Sequence, residues 1–453
     1  MIMTEHDSAT IMARLGDLIE DLLRCGADEA EAVYLDSVQA SFTARMRRSE
    51  HAEWSRSSAI GLRVLINQRE ACVSGDGLND DTIKQLKERV IAMAKVLPQD
   101  PYAGLALPEQ LYRATTPPDL ELFDPATPTP EQLIEQAGQC EEAALEHDLI
   151  VNSEGATASH SQSHEWHLAS NGLQCEHQSS SHSLGVYVIA GDDRGMEGDY
   201  EFANRVFMAD LPDGRAIGQK AAEQALRRLG ARKTSTATVP VMFHPRVAAS
   251  LLGHFANAIN GAAIARGTSF LKDKMGEAIF SSQIRITDDP LIKRGHGSRL
   301  FDSDGIESRP VDLIADGVLQ SWMLDLRTAR QLDLAPTGHA CRSLMASGSP
   351  GRSNLYLAPG PDSVQSMLAG VKQGFYCTDL MGMGVNLVTG DYSRGASGFW
   401  IEQGELAWPA HEVTIAGNLL DMFANLQPAD DLAFHYVTNA PHILIAKMSV
   451  AGL

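Results

Sequence analysis

The stretch PQDPYAGLALPEQLYRATTPPDLELFDPATPTP (residues 98–130) decides how this chain is divided. It contains eight of the twenty prolines and few long apolar side chains. Proline fixes φ and removes a backbone donor, so proline-rich segments form extended, semi-rigid connections rather than helices or central strands. We therefore predict a linker over residues 106–130, with folded units on both sides.

The segment before the linker, residues 1–105, has the pattern of a small α/β unit. Apolar residues recur every three or four positions from Ser8 to Cys25, and Gly26 follows, which predicts an amphipathic helix with a glycine stop. Short β-prone stretches follow between residues 31 and 74, and a second helix is predicted over Asp81–Lys95.

Residues 131–235 are predicted to form a middle helix-hairpin unit. Thr129, Pro130 and Gln132 have the arrangement of a capping box with proline at the first helical position, so a helix should run from Pro130 to His147. Asn171-Gly172 is a strong hairpin signal. A strand over 183–190 and a helix over 215–229 complete this unit.

The remaining residues, 236–453, are predicted to form a larger, strand-rich C-terminal unit. It opens with the strand 239–243 and a helix over 246–263, and continues with short strands and glycine-rich turns. The fold class predicted for the whole chain is therefore α+β.

Composition narrows the function classes. The net charge is −21, so most of the surface repels a phosphate backbone and nucleic acid is an unexpected ligand. No apolar run reaches the roughly 18 residues of a membrane helix, and Glu5, His6 and Asp7 precede any apolar stretch, unlike a secretory leader. The six cysteines lack metal or redox spacing, which favours reduced, mostly buried thiols in a cytoplasmic protein.

Histidines are the first candidates for chemistry. His160, His164 and His167 would share one face of a helix, but their serine-rich surroundings predict a strand. On a strand, His167 points away from the other two, so the three cannot converge on one ion. We predict solvated strand histidines here.

The helix predicted over 246–263 contains a second candidate, His254. A helical zinc-protease site needs a second histidine one turn away and a glutamate as general base, but Phe255, Ala258 and Ile259 occupy those positions. Packing is therefore the favoured role of His254. Asp302–Gly305 starts like a calcium loop but lacks the later ligands, and is interpreted as a turn.

A series of short motifs, in order along almost the whole chain, resembles the PmbA/TldE branch of the TldD/PmbA family. In the first unit these motifs are Gly61–Val64, Pro98–Pro101 and Gly104-Leu105. In the last unit they are Arg266–Leu271, Asp288–Pro290, Phe301-Asp302 with Gly305, Thr337-Gly338 with Ala340 and Arg342, Gly382–Gly384 with Asn386, Thr389–Ser393, Gly398–Glu402 and Thr414–Leu419.

The resemblance implies a subunit of a metallopeptidase. That family is historically described as modulators of DNA gyrase, and its two branches pair as a heterodimer. The TldD branch supplies zinc ligands from an HExxxH helix and a C-terminal cysteine. This chain has no HExxxH before Arg266, and no cysteine follows Cys377. We therefore expect no catalytic residue, metal ligand or cofactor in this chain, and zinc in a TldD-type partner.

The function expected from the resemblance is a non-catalytic subunit that helps a TldD-type zinc protease hold unfolded peptides. A homodimer is the expected assembly when the chain is expressed alone, and no membrane partner is expected. A regulatory protein acting on gyrase and a self-sufficient hydrolase with an unrecognised site remain alternatives. The candidate cavity-lining residues are Gly382, Gly384, Asn386, Thr389, Asp391 and Ser393.

Overall fold

The computed structural model describes residues 8–114, 116–344 and 348–452. Glu5, His6 and Asp7, on which the prediction about a leader depended, lie outside these residues. The α+β fold class is confirmed. Among the described residues, no helix combines the length and apolar character needed to cross a bilayer.

A six-stranded antiparallel sheet, in the order β3-β2-β1-β4-β5-β6, joins the first two predicted units. Its central pair is β1 with β4, in which Val33 lies opposite His167, so strands from both sides of the proline-rich segment are neighbours. The strands are β1 (Glu29–Arg45), β2 (Arg48–Ile66), β3 (Arg69–Asp76), β4 (Ile150–Ala169), β5 (Gln174–Asp192) and β6 (Gly195–Arg205).

Four helices cover one face of this sheet, in two pairs with separate apolar cores. The first core lies under α1 and α2 and contains Tyr34, Ile60 and Trp166. The second lies under α3 and α4 and contains Phe42 and Leu184. The helices are α1 (Ser8–Arg24), α2 (Asp80–Val96), α3 (Pro130–Ala144) and α4 (Gly214–Arg228).

Local signals explain where these elements begin and turn. The capping box of α3 is confirmed: Gln132 N donates to Thr129 Oγ1, and Gln132 Oε1 accepts from Thr129 N. The Asn171-Gly172 hairpin is also confirmed, with Gly172 at φ 91°.

The proline-rich segment is extended but is not an exposed spacer. Leu105, Leu111 and Leu120 are buried, and Leu111 forms an isolated bridge with Ile306 of the C-terminal unit. Farther along, Ser180 N donates to Leu122 O at 3.1 Å, so the segment passes along the edge of β5 where β6 has ended. We call residues 116–123 the strap.

The C-terminal unit is built on a sheet of order β16-β15-β14-β7-β19-β17, in which β16 also pairs with β19 and closes the sheet on itself. A smaller sheet, β10-β9-β8-β13-β18, and the pair β11-β12 accompany it. The strands are β7 (Ala237–Phe243), β8 (Ile286–Asp288), β9 (Val311–Ala315), β10 (Val318–Leu319), β11 (Ala340–Cys341), β12 (Ser349–Pro350), β13 (Leu355–Leu357), β14 (Gln373–Met381), β15 (Asp391–Glu402), β16 (Glu405–Asn418), β17 (Leu426–Pro428), β18 (Thr438–Asn439) and β19 (Ile443–Ala451).

Two sequence predictions need correction here. The helix predicted over 246–263 is two helices, because Asn260 leaves the helical conformation and its side chain caps the second one. The thiols are less buried than expected: Cys140 and Cys377 are buried, whereas Cys25 and Cys341 are exposed. The helices of this unit are α5 (Pro245–Ala258), α6 (Gly261–Ala265), α7 (Leu326–Leu332), α8 (Val364–Ala369) and α9 (Leu419–Ala424).

Candidate functional site

A cavity of about 1010 Å³ lies between the uncovered face of the first sheet, the strap and the C-terminal unit. This volume is at the upper end of the roughly 300–1,000 Å³ found for ligand pockets. The sheet contributes alternate residues of β1 and β4, and the C-terminal unit contributes two loops. The lining includes Val33, Leu35, Pro118–Phe123, Glu165, His167, Gln178, His296–Ser303 and Arg342–Leu344.

The period of a strand explains which β1 residues reach the cavity. Successive side chains of a strand point to opposite faces. In β1, Ala32 and Tyr34 pack under the helices, whereas Glu31, Val33 and Leu35 line the cavity. Charged and apolar residues at these odd positions therefore face the C-terminal unit.

Glu31 is the centre of a buried charge cluster on the cavity wall and is 3% exposed. His167 Nε2 lies 2.6 Å from Glu31 Oε1, and Arg63 Nη1 lies 2.8 Å from Oε2. Arg342, from the C-terminal unit, donates to both oxygens, with 2.5 Å to Oε2. Three cations and three carboxylates balance in this cluster: Arg63, His167, Arg342, Glu31, Glu70 and Asp304.

The cluster fixes the charge state of its central pair. Burial alone would raise the pKa of Glu31, but Arg342, His167 and Arg63 outweigh it and hold that pKa well below its usual range. Burial would lower the pKa of His167, but Glu31 raises it to about 10. His167 is therefore an imidazolium at neutral pH, and Glu31 is too weak a base for general-base catalysis.

Arg342 connects the sheet to the C-terminal unit through this cluster. Its Nη2 lies 2.6 Å from Asp304 Oδ1, in the turn that the sequence predicted at Asp302–Gly305. The turn is confirmed, since Gly305 N donates to Asp302 O and Gly305 has φ 80°. Burial, with Asp304 adding to it, raises the pKa of Asp302 to about 7. The cluster thus joins the sheet to the C-terminal unit, and each of its three carboxylates is paired with a cation.

The strap closes another side of the cavity through Glu121 and Arg294. Glu121 accepts from Lys293 Nζ at 2.7 Å and from Arg294 Nε at 2.8 Å, and Arg294 N donates to Leu120 O. Arg294 also lies over the Phe207 ring, 4.0 Å from its centroid. Glu121 and Arg294 both have positive φ, 52° and 56°, a conformation that is uncommon outside glycine.

The histidines of β4 lie on a strand, but the prediction that they are solvated is wrong. His160 is 1% exposed and its Nδ1 lies 3.3 Å from Nδ1 of His182. Burial, followed by the nearby His182, lowers the pKa of His160 to about 4, so it is neutral. His164 stacks on Trp166 with ring centroids 3.7 Å apart. This burial was not predictable from the sequence, because it depends on β1, β5 and the residues packed over them.

The residues of α5 do not fit a zinc ion. His254 packs edge-on against Tyr392 with centroids 6.0 Å apart, and burial lowers its pKa to about 4. Its Nε2 and the Tyr392 hydroxyl are buried without a hydrogen-bond partner among the residues that the structure describes. Burial raises the pKa of the Cys377 thiol, which disfavours the thiolate that a metal requires. Within the described ranges, no three side chains of His, Cys, Asp or Glu are grouped as metal ligands.

Of the six predicted cavity residues, Gly382, Gly384, Asn386 and Thr389 lie in the connection between β14 and β15, and Asp391 and Ser393 lie at the start of β15. Within the described chain they are brought together by local bonds, and none of them lines the 1010 Å³ cavity. Thr389 Oγ1 donates to Asp391 Oδ2 at 2.6 Å, and Ser393 N donates to Gly384 O at 2.7 Å. Met383, between Gly382 and Gly384, is 96% exposed. Their place in a cavity shared with a partner stays a prediction.

Comparison with known proteins identifies the family. Three consecutive domains match: PmbA/TldA metallopeptidase domain 1 at residues 30–94, the central domain at 123–229 and the C-terminal domain at 236–452. The chain belongs to the PmbA/TldD metallopeptidase family. Metalloprotease PmbA of Escherichia coli O157:H7 is 35% identical over 428 residues, covering 94% of this chain and 93% of that protein.

Further relatives agree with the PmbA branch. The PmbA homolog of Haemophilus influenzae is 34% identical over 96% of this chain and 94% of its own length. The TldD homolog of the same organism is 25% identical over 82% and 79%, respectively. A crystal structure from Bacteroides thetaiotaomicron, described as a modulator of DNA gyrase, has a TM-score of 0.91 at 26% identity and covers both chains fully. TldE of Thermococcus kodakarensis shares the fold, with a TM-score of 0.85 at 22% identity over 97% of this chain and 100% of that one.

Proposed function

We propose that this chain is the non-catalytic, TldE/PmbA-type subunit of a zinc metalloprotease that acts on unfolded peptides. In this proposal a TldD-type partner holds the zinc ion and performs hydrolysis. The present chain completes the substrate cavity and holds the peptide. The observation that carries the proposal is the composition of α5, where apolar packing around His254 takes the place of a ligand set.

The charge cluster also supports a non-catalytic role for this chain. A zinc peptidase needs an ion that polarises the carbonyl and activates water, together with a general base. Glu31 has cationic partners on both oxygens, and His167 and Arg63 are held by carboxylates. These side chains are positioned to hold the cavity wall rather than to exchange protons with a substrate.

The large cavity is suited to a peptide without a fixed sequence. Its lining combines apolar residues such as Val33, Leu35 and Leu300 with polar ones such as Glu165 and His177. Extended peptides can be bound largely through main-chain hydrogen bonds, so that side-chain preference stays weak. The exposed connection around Met383 is the part we assign to the shared surface with the TldD-type subunit.

Reconstitution tests the proposal. The full chain, a TldD-type subunit and their mixture are assayed on an unfolded peptide, with and without a zinc chelator. We expect cleavage by the mixture, loss of cleavage with chelator, and none by this chain alone. Chelator-insensitive cleavage by this chain alone would instead support a self-sufficient hydrolase.

A further inference from the structure

A second cavity, of about 400 Å³, lies where β6, α4 and the start of α5 meet the segment 431–442. It is separate from the charge cluster, and the proposed function does not use it. Aromatic side chains and potential donors of hydrogen bonds both line it. The residues used below are Tyr200, Phe202, Arg205, His244, His435 and Tyr436.

For two histidines of this cavity, the hydrogen bonds show which ring nitrogen carries the proton. His244 Nδ1 accepts from Arg246 N, and His435 Nδ1 accepts from Arg205 Nη2, both at 3.2 Å. The proton of each neutral ring is therefore on Nε2, which becomes a donor. Burial, followed by His442 and nearby cations, lowers the pKa of His244 to about 3, and burial and Arg205 lower that of His435. Both rings are neutral at pH 7.

Arg205 brings a positive charge to this cavity. Among the described residues its guanidinium bonds to neutral acceptors, namely Asn204 O at 2.7 Å and His435 Nδ1. The other cations of the lining have carboxylate partners: Lys220 lies 3.0 Å from Glu201 and Arg246 lies 2.7 Å from Asp199. The lining contains these three cations and two carboxylates, Glu201 and Asp431, of which Asp431 bonds to His442. The position beside Arg205 therefore favours an anion.

The remaining wall is aromatic. The ring of Phe202 lies 6.0 Å from Tyr200 and 5.4 Å from Tyr436, between centroids, yet Phe202 is 41% exposed. Such rings offer a surface on which another planar ring can pack in offset or edge-on contact. Beneath them, His442 Nδ1 lies 2.6 Å from Asp431 Oδ2 and Nε2 lies 2.8 Å from the Tyr376 hydroxyl, which fixes the segment 431–442.

We propose that this cavity binds a carboxylate attached to an aromatic group. The carboxylate would lie against the guanidinium of Arg205, and the ring would pack on Phe202 and Tyr436. The Nε2–H groups of His244 and His435 are further donors among the residues that line the cavity. Charge-assisted bonds from a guanidinium are the strong class of hydrogen bond for a carboxylate. The C-terminal aromatic residue of a peptide and a free aromatic acid share this chemistry.

Calorimetric titration of the full chain tests this inference without the TldD-type partner, so its result is independent of the proposed function. The probes are acetyl-Gly-Gly-Phe with a free carboxylate, the same peptide as its C-terminal amide, and N-acetylphenylalanine. We expect the free peptide acid to bind at least about tenfold more tightly than the amide. If N-acetylphenylalanine binds as well as the peptide acid, a single aromatic residue with a free carboxylate is sufficient for binding. If N-acetylphenylalanine binds and the peptide acid does not, the ligand is a small aromatic acid.

Variants assign the binding to this cavity. R205Q should weaken binding of the acid about tenfold or more, and F202L should weaken it by a smaller factor. R89Q, an exposed arginine of α2, is the matched control and should leave binding unchanged. Equal affinity for acid and amide, no saturable binding of either acid, or unchanged binding in a correctly folded R205Q would overturn the inference.

Discussion

His167 Nε2 and Glu31 Oε1 are 2.6 Å apart in the buried contact between β4 and β1, the two strands that meet across the proline-rich segment. Arg342, far away in sequence, completes the contact from the C-terminal unit. One carboxylate thus connects parts of all three family domains. The stability of the chain should therefore depend on the charge of these groups.

The pH dependence of stability follows from His167. Its folded pKa of about 10 is above its ordinary value of 6.5, so its stabilisation is complete below pH 6.5 and is lost as the pH rises to 10. Each pKa unit corresponds to about 1.4 kcal/mol. We expect the difference in free energy of unfolding between wild type and H167Q to shrink by several kcal/mol between pH 6.5 and pH 10. Denaturant titrations at pH 6, 8 and 10 measure it, and a constant difference would contradict the assignment.

The stabilisation that Glu31 contributes should depend on pH in the opposite direction, so that it is lost as the pH falls. Its stabilisation is present above the ordinary pKa of 4.5 and is lost as the pH falls through its lower folded value. At pH 7, E31Q leaves three cations without their shared partner and should cost about 3–5 kcal/mol. A double-mutant cycle with R342Q should give a coupling energy of about 1–3 kcal/mol.

The control for that cycle is the exposed pair Arg285–Asp312, whose side chains are 54% and 37% exposed. Its coupling in R285Q and D312N should be at most about 1 kcal/mol. A coupling between Glu31 and Arg342 no larger than this control would mean that the cluster does not hold the two units together.

The strap should open more readily when its contact with Arg294 is weakened. E121Q removes the charge that Lys293 and Arg294 share, while the fold beneath keeps its core. We expect faster trypsin cleavage after Arg113 with an unchanged melting temperature. E109Q, an exposed glutamate in the same proline-rich segment, is the control. Equal cleavage rates of the two variants would show that Glu121 does not secure the strap.

Narrowing the large cavity should impair the reconstituted protease. His177 lines the cavity opposite Glu165, whereas Gln174 is on the same strand but outside the cavity. In the complex with a TldD-type subunit, we expect H177W to slow cleavage of unfolded peptide several-fold and Q174W to leave it unchanged. Gel filtration verifies that both variants still bind the partner. Identical activities would place the peptide elsewhere.

Local signals in the sequence were sufficient for much of the fold. The start of α3 at Pro130 was predictable because its capping box is contained within four residues, although the helix ends at Ala144 and not at the predicted His147. The Asn171-Gly172 turn was predictable because glycine allows positive φ. By contrast, only short β-prone stretches were predicted between residues 31 and 74, whereas β1 runs unbroken over Glu29–Arg45 and includes the polar residues Asp36 and Ser37. In the structure Arg56 pairs with Asp36, so a polar stretch remains within one strand.

Two hairpins lacked the expected glycine signal. The β1–β2 and β2–β3 turns use Met46-Arg47 and Asn67-Gln68, all at positive φ. Such turns normally favour asparagine and glycine, so the continuous meander of three strands could not be predicted from these residues.

The candidate site was largely unpredictable because its members are distant in sequence. Glu31 and Arg342 are separated by 311 positions, and no spacing rule connects them. One signal was available: Arg63 lies between Leu62 and Val64 in a strongly apolar strand, which indicates a buried charge with a partner. The identity of that partner required the pairing of β1 with β4 and the approach of the C-terminal unit.

Metal content of each subunit tests the central claim most directly. This chain and a TldD-type subunit are loaded with zinc separately, dialysed and analysed by mass spectrometry for bound metal, then mixed and assayed. We expect stoichiometric zinc in the TldD-type subunit and no zinc retained by this chain. The peptide-cleaving activity of the mixture should depend only on the zinc content of the TldD-type subunit. Stoichiometric zinc retained by this chain alone, with peptide cleavage in the absence of any partner, would contradict the central claim.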